Sequence, residues 1–392
     1  MQKKLILEEN IKQNQLLAKT LFGLEQVLAD ELKAIGAEDI EILKRAVSFT
    51  GDKEIMYRSN YCCRTALRVL KPIAKFSVNS AEQLYDNVKR INWPQYLDLN
   101  GTFAIDETVG SSVFSHTKFV ALKAKDAIAD RFRMKFGRRP SVDVRNPDLR
   151  INIHIYKDDC TISLDSSGDP LYKRGYRVLT DKAPINEILA AGMILLSGWE
   201  KDCNFIDPMC GSGTILIEAA MFANNIPPGV FRNFGFEKWN DFDKKLWDNI
   251  VQDELSKKCD FNFEIVGSDR SYKAVEIARQ NLKEANLQNH ITLFHNSIEK
   301  QIPPKAKGIM IMNPPYGERM EVNNQIELYK KIGDSMKKNY AGYSAWLISS
   351  DFTALKHIGL RPSRKIALYN GQLECRYLRF DIYEGSKKQK YK

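Results

Sequence analysis

The sequence predicts an α/β protein: a doubly wound, largely parallel sheet preceded by a smaller α+β half. Three observations predict it. From Ala183 onward, short apolar runs alternate with helical patterns, as in a parallel sheet covered on both faces. One run, ending at Asp207, opens into the glycine-rich turn Cys210-Gly211-Ser212-Gly213 and then a helix. Another, Gly308 to Met312, stops at Asn313-Pro314-Pro315-Tyr316, because two prolines have no N–H with which to continue a ladder. In an open α/β sheet such strand ends border the crevice where ligands sit.

The 392 residues suffice for two or three domains. A composition of 43% hydrophobic and 28% charged residues is that of a globular protein. No run approaches the roughly 18 consecutive apolar residues of a membrane span, so no membrane partner is expected. The N-terminus meets acid at Glu8 after three apolar residues, so no secretory leader is expected. A net charge of +10 favours a nucleic-acid partner over an anionic membrane. Seven cysteines without a CxxC pair and five scattered histidines give neither a disulfide framework nor a zinc spacing. A reducing, cytoplasmic setting without a metal is expected.

Five segments are expected: 1–70, 71–165, a basic aromatic linker 166–182, the α/β domain 183–385 and a basic tail 386–392. In the first, Leu24, Val27, Leu28 and Leu32 recur at helical spacing, Ala46 to Phe49 reads as a strand, and Met56 to Leu70 as a helix running into a strand. In the second, Ala81 to Val88 is helical and Phe103 to Asp106 alternates. Thr117 to Phe136 is the most basic helix, with Phe119, Leu122, Ala127, Ile128 and Phe132 as its apolar side. Gly137-Arg138-Arg139-Pro140 turns the chain into an alternating hairpin, Ile151 to Tyr156 and Cys160 to Asp165.

Lys118, Lys123, Arg131, Arg138 and Arg139 form a set able to track a phosphate backbone; a solvated charged face fits them equally. The linker joins Tyr172 and Tyr176 to Lys173, Arg174 and Arg177, a mixture suited to stacking on bases and neutralising phosphates.

In the α/β domain, glycines let a ligand approach the backbone, and the next helix adds a positive dipole end. Asp207 closes the strand before them. A carboxylate there repels a pyrophosphate and attracts an ammonium or sulfonium, which favours S-adenosylmethionine (SAM) over NAD. The loop Asp207, Pro208, Cys210, Gly211, Ser212, Gly213 and Thr214 is the candidate cofactor cradle. Asp269, ending the next strand, can grip ribose hydroxyls. Asn296 and Ser297, after the third strand, suit an adenine edge. Residues 221–262 form an aromatic excursion, readable as a lid, a base-stacking insertion or a packing cluster. A fifth strand, Ser344 to Ser349, and a closing hairpin through Asn370-Gly371 complete the domain.

The Asn313-Pro314-Pro315-Tyr316 loop suits an exocyclic amine on a nucleobase. The Asn313 side-chain oxygen and the Pro314 carbonyl can accept both N–H bonds, and Tyr316 offers a face for a base taken out of its stack.

These motifs, together and in order, resemble class I SAM-dependent methyltransferases that modify exocyclic amines. The segments FGLEQVLADEL, SGDPLYKRGYR, APINEILAAG, DPMCGSGTILIEAA and NPPYGER look like the THUMP-domain 23S rRNA guanine-N2 methyltransferases of the RlmL type, over about residues 15 to 382. The resemblance implies a ferredoxin-like unit, an α+β THUMP RNA-binding domain and a Rossmann-like catalytic domain. It implies methylation of a guanine 2-amino group in 23S rRNA or a large-subunit precursor. It carries Asp207, Gly211, Gly213 and Asp269 over as SAM contacts, and Asn313, Pro314 and Tyr316 as the amine site. Some relatives carry a second methyltransferase domain; none is expected here. Two positions depart from the pattern: Ser297 stands where relatives often have Asp, and Asn186 where they often have Lys.

Two other readings stay open: methylation of adenine N6 in RNA or DNA, which the same loop would serve, and a non-catalytic RNA-binding assembly factor. A nucleotide-hydrolysing or NAD-dependent enzyme fits less well, since no Walker lysine follows the glycines.

Overall fold

The computed structural model describes residues 12–114, 116–180, 184–305, 307–315 and 322–383, the last stretch with side chains from 324. Tyr316, the three residues after it and the tail 386–392 lie outside the described residues. The chain divides into two compact units. The first takes the residues up to Thr20, Leu28–Leu171 and Asn233–Gln252; the second takes Leu21–Val27, Tyr172–Arg232 and the residues from Asp253 on.

Up to Asp165 the elements are β1 (Gln15–Lys19), α1 (Glu25–Ala34), β2 (Glu38–Leu43), β3 (Ala46–Thr50), α2 (Lys53–Cys62), β4 (Arg68–Ser77), α3 (Ala81–Arg90), β5 (Thr102–Gly110), α4 (Thr117–Phe136), β6 (Ser141–Val142), β7 (Leu149–Tyr156) and β8 (Asp159–Asp165). The eight strands form one sheet in the order β2-β3-β1-β4-β8-β7-β5-β6. β4 runs across residue 70, pairing Leu70 with Leu17 of β1 and with Asp165 of β8. The segments 1–70 and 71–165 therefore share a sheet, and Val69, Ala74 and Ile162 share a core.

Helix α4 corrects the expected stripe. Its buried side is Val120, Ala124, Ala127, Ile128 and Phe132, while Phe119 and Leu122 are 47% and 56% exposed. Both stripes obey helical spacing, and the smaller one wins because alanines allow close packing. Gly137 ends the helix in the left-handed region at φ 72°, as the predicted turn requires.

The aromatic excursion is a packing cluster. Phe234, Phe236, Trp239 and Ile250 are buried in the first unit's core. The Phe236 ring stacks on Tyr57 with centroids 4.1 Å apart, and Trp247 meets Tyr61 edge-on at 5.3 Å.

The second unit contains α5 (Glu187–Leu196), β9 (Asn204–Asp207), α6 (Thr214–Ala223), then, after α7 (Lys244–Ser256), β10 (Ile265–Asp269), α8 (Tyr272–Glu284), β11 (Thr292–His295), β12 (Gly308–Met312), α9 (Val322–Asn339), β13 (Ser344–Ser349), β14 (Arg364–Asn370) and β15 (Leu373–Asp381). Its sheet runs β11-β10-β9-β12-β13-β15-β14. β11, β10, β9, β12 and β13 are parallel, and the β14–β15 hairpin is antiparallel. The strand sequence moves outward from β9 on one side through β10 and β11, and on the other from β12 to β13. β9 and β12 thus flank the switch point, where a crevice opens beyond the strand ends. At the amino end of β12 Gly308 is required, since a Cβ would collide with the Tyr343 ring.

Among the described residues, no helix is long and apolar enough to cross a membrane. No three His, Cys, Asp or Glu side chains group to hold a metal among them, and the cysteines are free thiols.

Candidate active site

A cavity of about 820 Å³ opens at the carboxyl ends of β9, β10 and β12. Asp207, Pro208, Cys210, Gly211, Ser212 and Thr214 line one wall, Asp269 and Ser297 a second, and Asn313 and Pro315 a third. Residues more than one hundred positions apart in sequence thus face one space, because each ends or follows one of the neighbouring parallel strands β11, β10, β9 and β12.

Asp207 is 1% exposed and accepts the Met209 N–H at 3.1 Å. Burial pushes its carboxyl well above the usual carboxylate range, and the Asp269 charge adds to the push. Among the described residues it has no ion-pair partner. A buried acceptor of this kind, in the wall of a cavity, is suited to a cationic ligand.

The glycine loop is fixed by its own backbone. The Cys210 N–H donates to the Ser268 carbonyl at 2.9 Å and the Gly213 N–H to the Cys210 carbonyl at 2.8 Å. Gly211 and Gly213 have φ of +52° and +82°. At Gly213 a Cβ would press on Ala278 and Leu282 at 3.2 and 3.3 Å. At Gly211 it would meet no protein atom within 4 Å, since that position opens into the cavity. The Cys210 thiol is buried and pushed up by burial and by both carboxylates, which leaves it inert as a nucleophile.

Asp269 has a second task that the sequence did not reveal. Its Oδ2 accepts the Gly211 N–H at 3.0 Å and its Oδ1 the Ser271 N–H at 2.8 Å, so it ties the loop to β10. Each oxygen keeps a lone pair for a hydroxyl. Ser297 faces the cavity, whereas Asn296 is not part of its lining and donates to Gln301 at 3.4 Å.

Asn313 Oδ1 is buried and has no hydrogen-bond partner among the described residues. Leaving an amide oxygen unsatisfied costs about 1–3 kcal/mol, so a donor from a ligand is the natural complement. Pro314 is buried next to it in sequence and, unlike Pro315, is not part of the cavity lining.

Residues that sequence reasoning missed close the cavity. Ile298 and Leu328 give it an apolar patch, and Asn324, Glu327 and Lys331 line its edge from α9. Their i, i+3, i+4, i+7 spacing was visible, but nothing in it indicated that this face would look into the site.

The structure divides the basic candidates. Lys118, Arg138, Arg139 and Lys173 are exposed. Lys123 is half-buried with its Nζ 5.4 Å from the Tyr85 ring centre, and Arg131 is half-buried as well. Arg174 is a correction. It is 2% exposed and paired at 3.3 Å with Glu218, itself fully buried, and the Tyr176 hydroxyl donates to the same carboxylate at 2.9 Å. Arg177 pairs with Glu187 at 3.2 Å and is largely buried. These groups satisfy internal charge and are withdrawn from phosphate and base contact. Arg174→Ala is expected to destabilise the fold by about 3–5 kcal/mol, the cost of stranding a buried charge. Urea denaturation checks this, and a variant as stable as the wild type would contradict the pairing. Asn186 caps α5, accepting the Ile188 and Leu189 N–H groups at 2.9 and 3.4 Å, which accounts for its departure from lysine.

The donor set fits SAM. A buried carboxylate, an open glycine position and a second acid line one cavity with Asn313, whose amide oxygen has no partner among the described residues.

Residues 174–379 match the family model described as RMKL-like, methyltransferase domain; residues 78–165 match the THUMP domain, and residues 15–70 the RlmL ferredoxin-like domain. The ribosomal RNA large subunit methyltransferase K/L of Syntrophotalea carbinolica is 39% identical over 380 residues, covering 92% of this chain and 53% of that protein. The chain thus spans about half the length of that relative. A putative RNA methyltransferase of Synechocystis sp. is 36% identical over 364 residues, covering 92% of this chain and 95% of that protein. A putative methyltransferase solved in complex with SAH superposes with a TM-score of 0.86 at 31% identity, covering 96% of this chain and all of that one.

Proposed function

Because the chain belongs to the RMKL-like methyltransferase family, we propose that it methylates the exocyclic 2-amino group of a guanine in large-subunit ribosomal RNA, with SAM as donor. The observation that carries this reading is the buried Asn313 Oδ1, without a partner among the described residues, on a residue that lines the same cavity as Asp207 and the glycine loop. An exocyclic amine has two N–H donors, and Asn313 with the Pro314 carbonyl offers two acceptors.

SAM supplies an electrophilic methyl group when bound. The rest of the work belongs to the chain. Asp207 and Asp269 hold the donor's cationic and ribose ends, and Gly211 lets it lie against the backbone. Asn313 and Pro314 accept both amine hydrogens, which leaves the nitrogen lone pair facing the methyl. The nitrogen would form its bond to the methyl carbon as the sulfur–carbon bond breaks, leaving SAH, and its surplus proton would pass to solvent. No covalent enzyme intermediate is needed, because holding two reactants in line supplies most of the rate. The THUMP and ferredoxin-like domains support RNA over DNA as substrate, and Lys118, Arg138, Arg139 and Lys173 are the exposed cations proposed to meet its phosphates.

Incubation with SAM and unmodified ribosomal RNA, digestion to nucleosides and mass spectrometry test this. N2-methylguanosine is expected. N6-methyladenosine would keep the chemistry and overturn the base. SAM binding with no product on RNA or on precursor particles would overturn the substrate, and absence of SAM binding would favour a non-catalytic assembly factor.

A further inference from the structure

Helix α6 begins at Gly213 without a side-chain cap, although its first turn and the loop before it form the cofactor wall. Groups from outside the loop hold it instead. Arg177 Nη2 donates to the Thr214 hydroxyl and to the Ile185 carbonyl, both at 2.8 Å, and both residues line the cavity. Its Nε lies 3.2 Å from Glu187 Oε1 at the start of α5. Two residues on, Asn281 of α8 clamps the same strand of chain. Its Oδ1 accepts the Val178 and Leu179 N–H groups at 3.2 Å, and its Nδ2 donates at 3.0 Å to the carbonyls of Leu179 and Ser212. Ser212 is the loop residue between the two glycines.

We infer that residues 177–179 are a brace that sets the cofactor wall, with Arg177 and Asn281 as positioning residues for SAM binding. The inference rests on the reading that the cavity takes SAM. The brace joins α5, the glycine loop, α6 and α8 through polar bonds to three cavity-lining residues. One guanidinium donates through Nη2 to a hydroxyl and a carbonyl while standing in ion-pair range of a carboxylate, without a hydrogen bond from Nε among the described residues; an ammonium cannot do this in the same directions.

Glu187 gives the brace a titratable end. It is buried, and its Oε2 has no hydrogen-bond partner among the described residues. Burial pushes its carboxyl up to about 7, against the pull of Arg177. The charged and titratable groups facing it are Arg174, Tyr176 and Arg177 from the preceding segment and Glu218 from α6. Ionised Glu187 holds Arg177 by charge; protonated Glu187 holds it only weakly. Cofactor affinity should therefore rise as pH rises through the neutral range.

Titration calorimetry with SAH on the full chain tests this. Arg177→Lys is expected to weaken SAH binding about tenfold, the loss of one charge-assisted bond. The kcat at saturating SAM should stay within about threefold, since Asn313 is untouched. Wild-type affinity should fall between about pH 8 and pH 6, and Glu187→Gln should lessen that dependence, with the Asp207 carboxyl supplying the part that remains. Arg177→Lys binding SAH as tightly as the wild type, or Glu187→Gln keeping the wild-type pH slope, would overturn the brace. Failure of the wild type to bind SAH at all would remove the cofactor reading, and the brace with it.

Discussion

Asn313→Ala is expected to lower kcat by about 10²–10³-fold while SAH affinity stays within about twofold. The size follows from what Asn313 Oδ1 does in the protein as it stands: it is a buried acceptor with no partner among the described residues. A buried oxygen of this kind gains most from a donor that a ligand brings to it. Its bond to an incoming amine aims the nitrogen lone pair, and a small misplacement of reacting atoms costs about 10²-fold. The cofactor wall is built from Asp207, the glycine loop and Asp269, none of which hydrogen-bonds to Asn313 among the described residues. The loss should therefore fall on kcat and not on SAH binding. Asn313→Asp keeps an acceptor and should retain more activity than the alanine variant. Steady-state methyl transfer at saturating SAM and RNA, beside SAH titration calorimetry, separates the cases, and an alanine variant with wild-type kcat would remove Asn313 from the reaction.

The catalytic half was legible because its signals are local. A strand that ends in an acid followed by glycines, and a strand that ends in two prolines, can each be read within ten residues. Their convergence follows from the handedness and order of a parallel sheet. What the sequence hid depends on distant partners. Arg174 and Tyr176 look like a nucleic-acid patch until Glu218 is placed against them. The warning was present: Glu218 is the sole acid in the otherwise apolar helix Thr214–Ala223, and a buried carboxylate must find a cation. The aromatic excursion hid its place for the same reason. Phe234 and Phe236 pack on Tyr57 and Tyr61, about 175 residues earlier, and periodicity does not reach that far. In α4 the large exposed residues outweighed the small buried ones by eye, although close packing favours the alanines.

Asp207 shows the cost of keeping such a site. Its carboxyl sits almost fully buried, with the Met209 N–H as its partner and another carboxylate nearby. A carboxyl whose value is raised on folding contributes stability that is fully present below its unfolded value and lost as pH rises through the raised value. The ligand-free protein therefore loses stability on that rise. Asp207→Asn keeps an oxygen for Met209 and removes the charge, so it should have a higher thermal midpoint than the wild type at about pH 8. The gap should shrink as pH falls and the wild-type carboxyl takes up a proton. The same variant should bind SAM about 10²–10³-fold more weakly, the equivalent of losing one partner of a buried charge pair. A cationic ligand also pulls the wild-type carboxyl down, so binding should release a proton that the variant does not release. Calorimetry in two buffers of different ionisation enthalpy reads that proton directly. A variant that is less stable and binds SAM normally would show that Asp207 serves only the loop. A more stable protein that has lost its cofactor would show that the charge is kept for SAM at the expense of the fold.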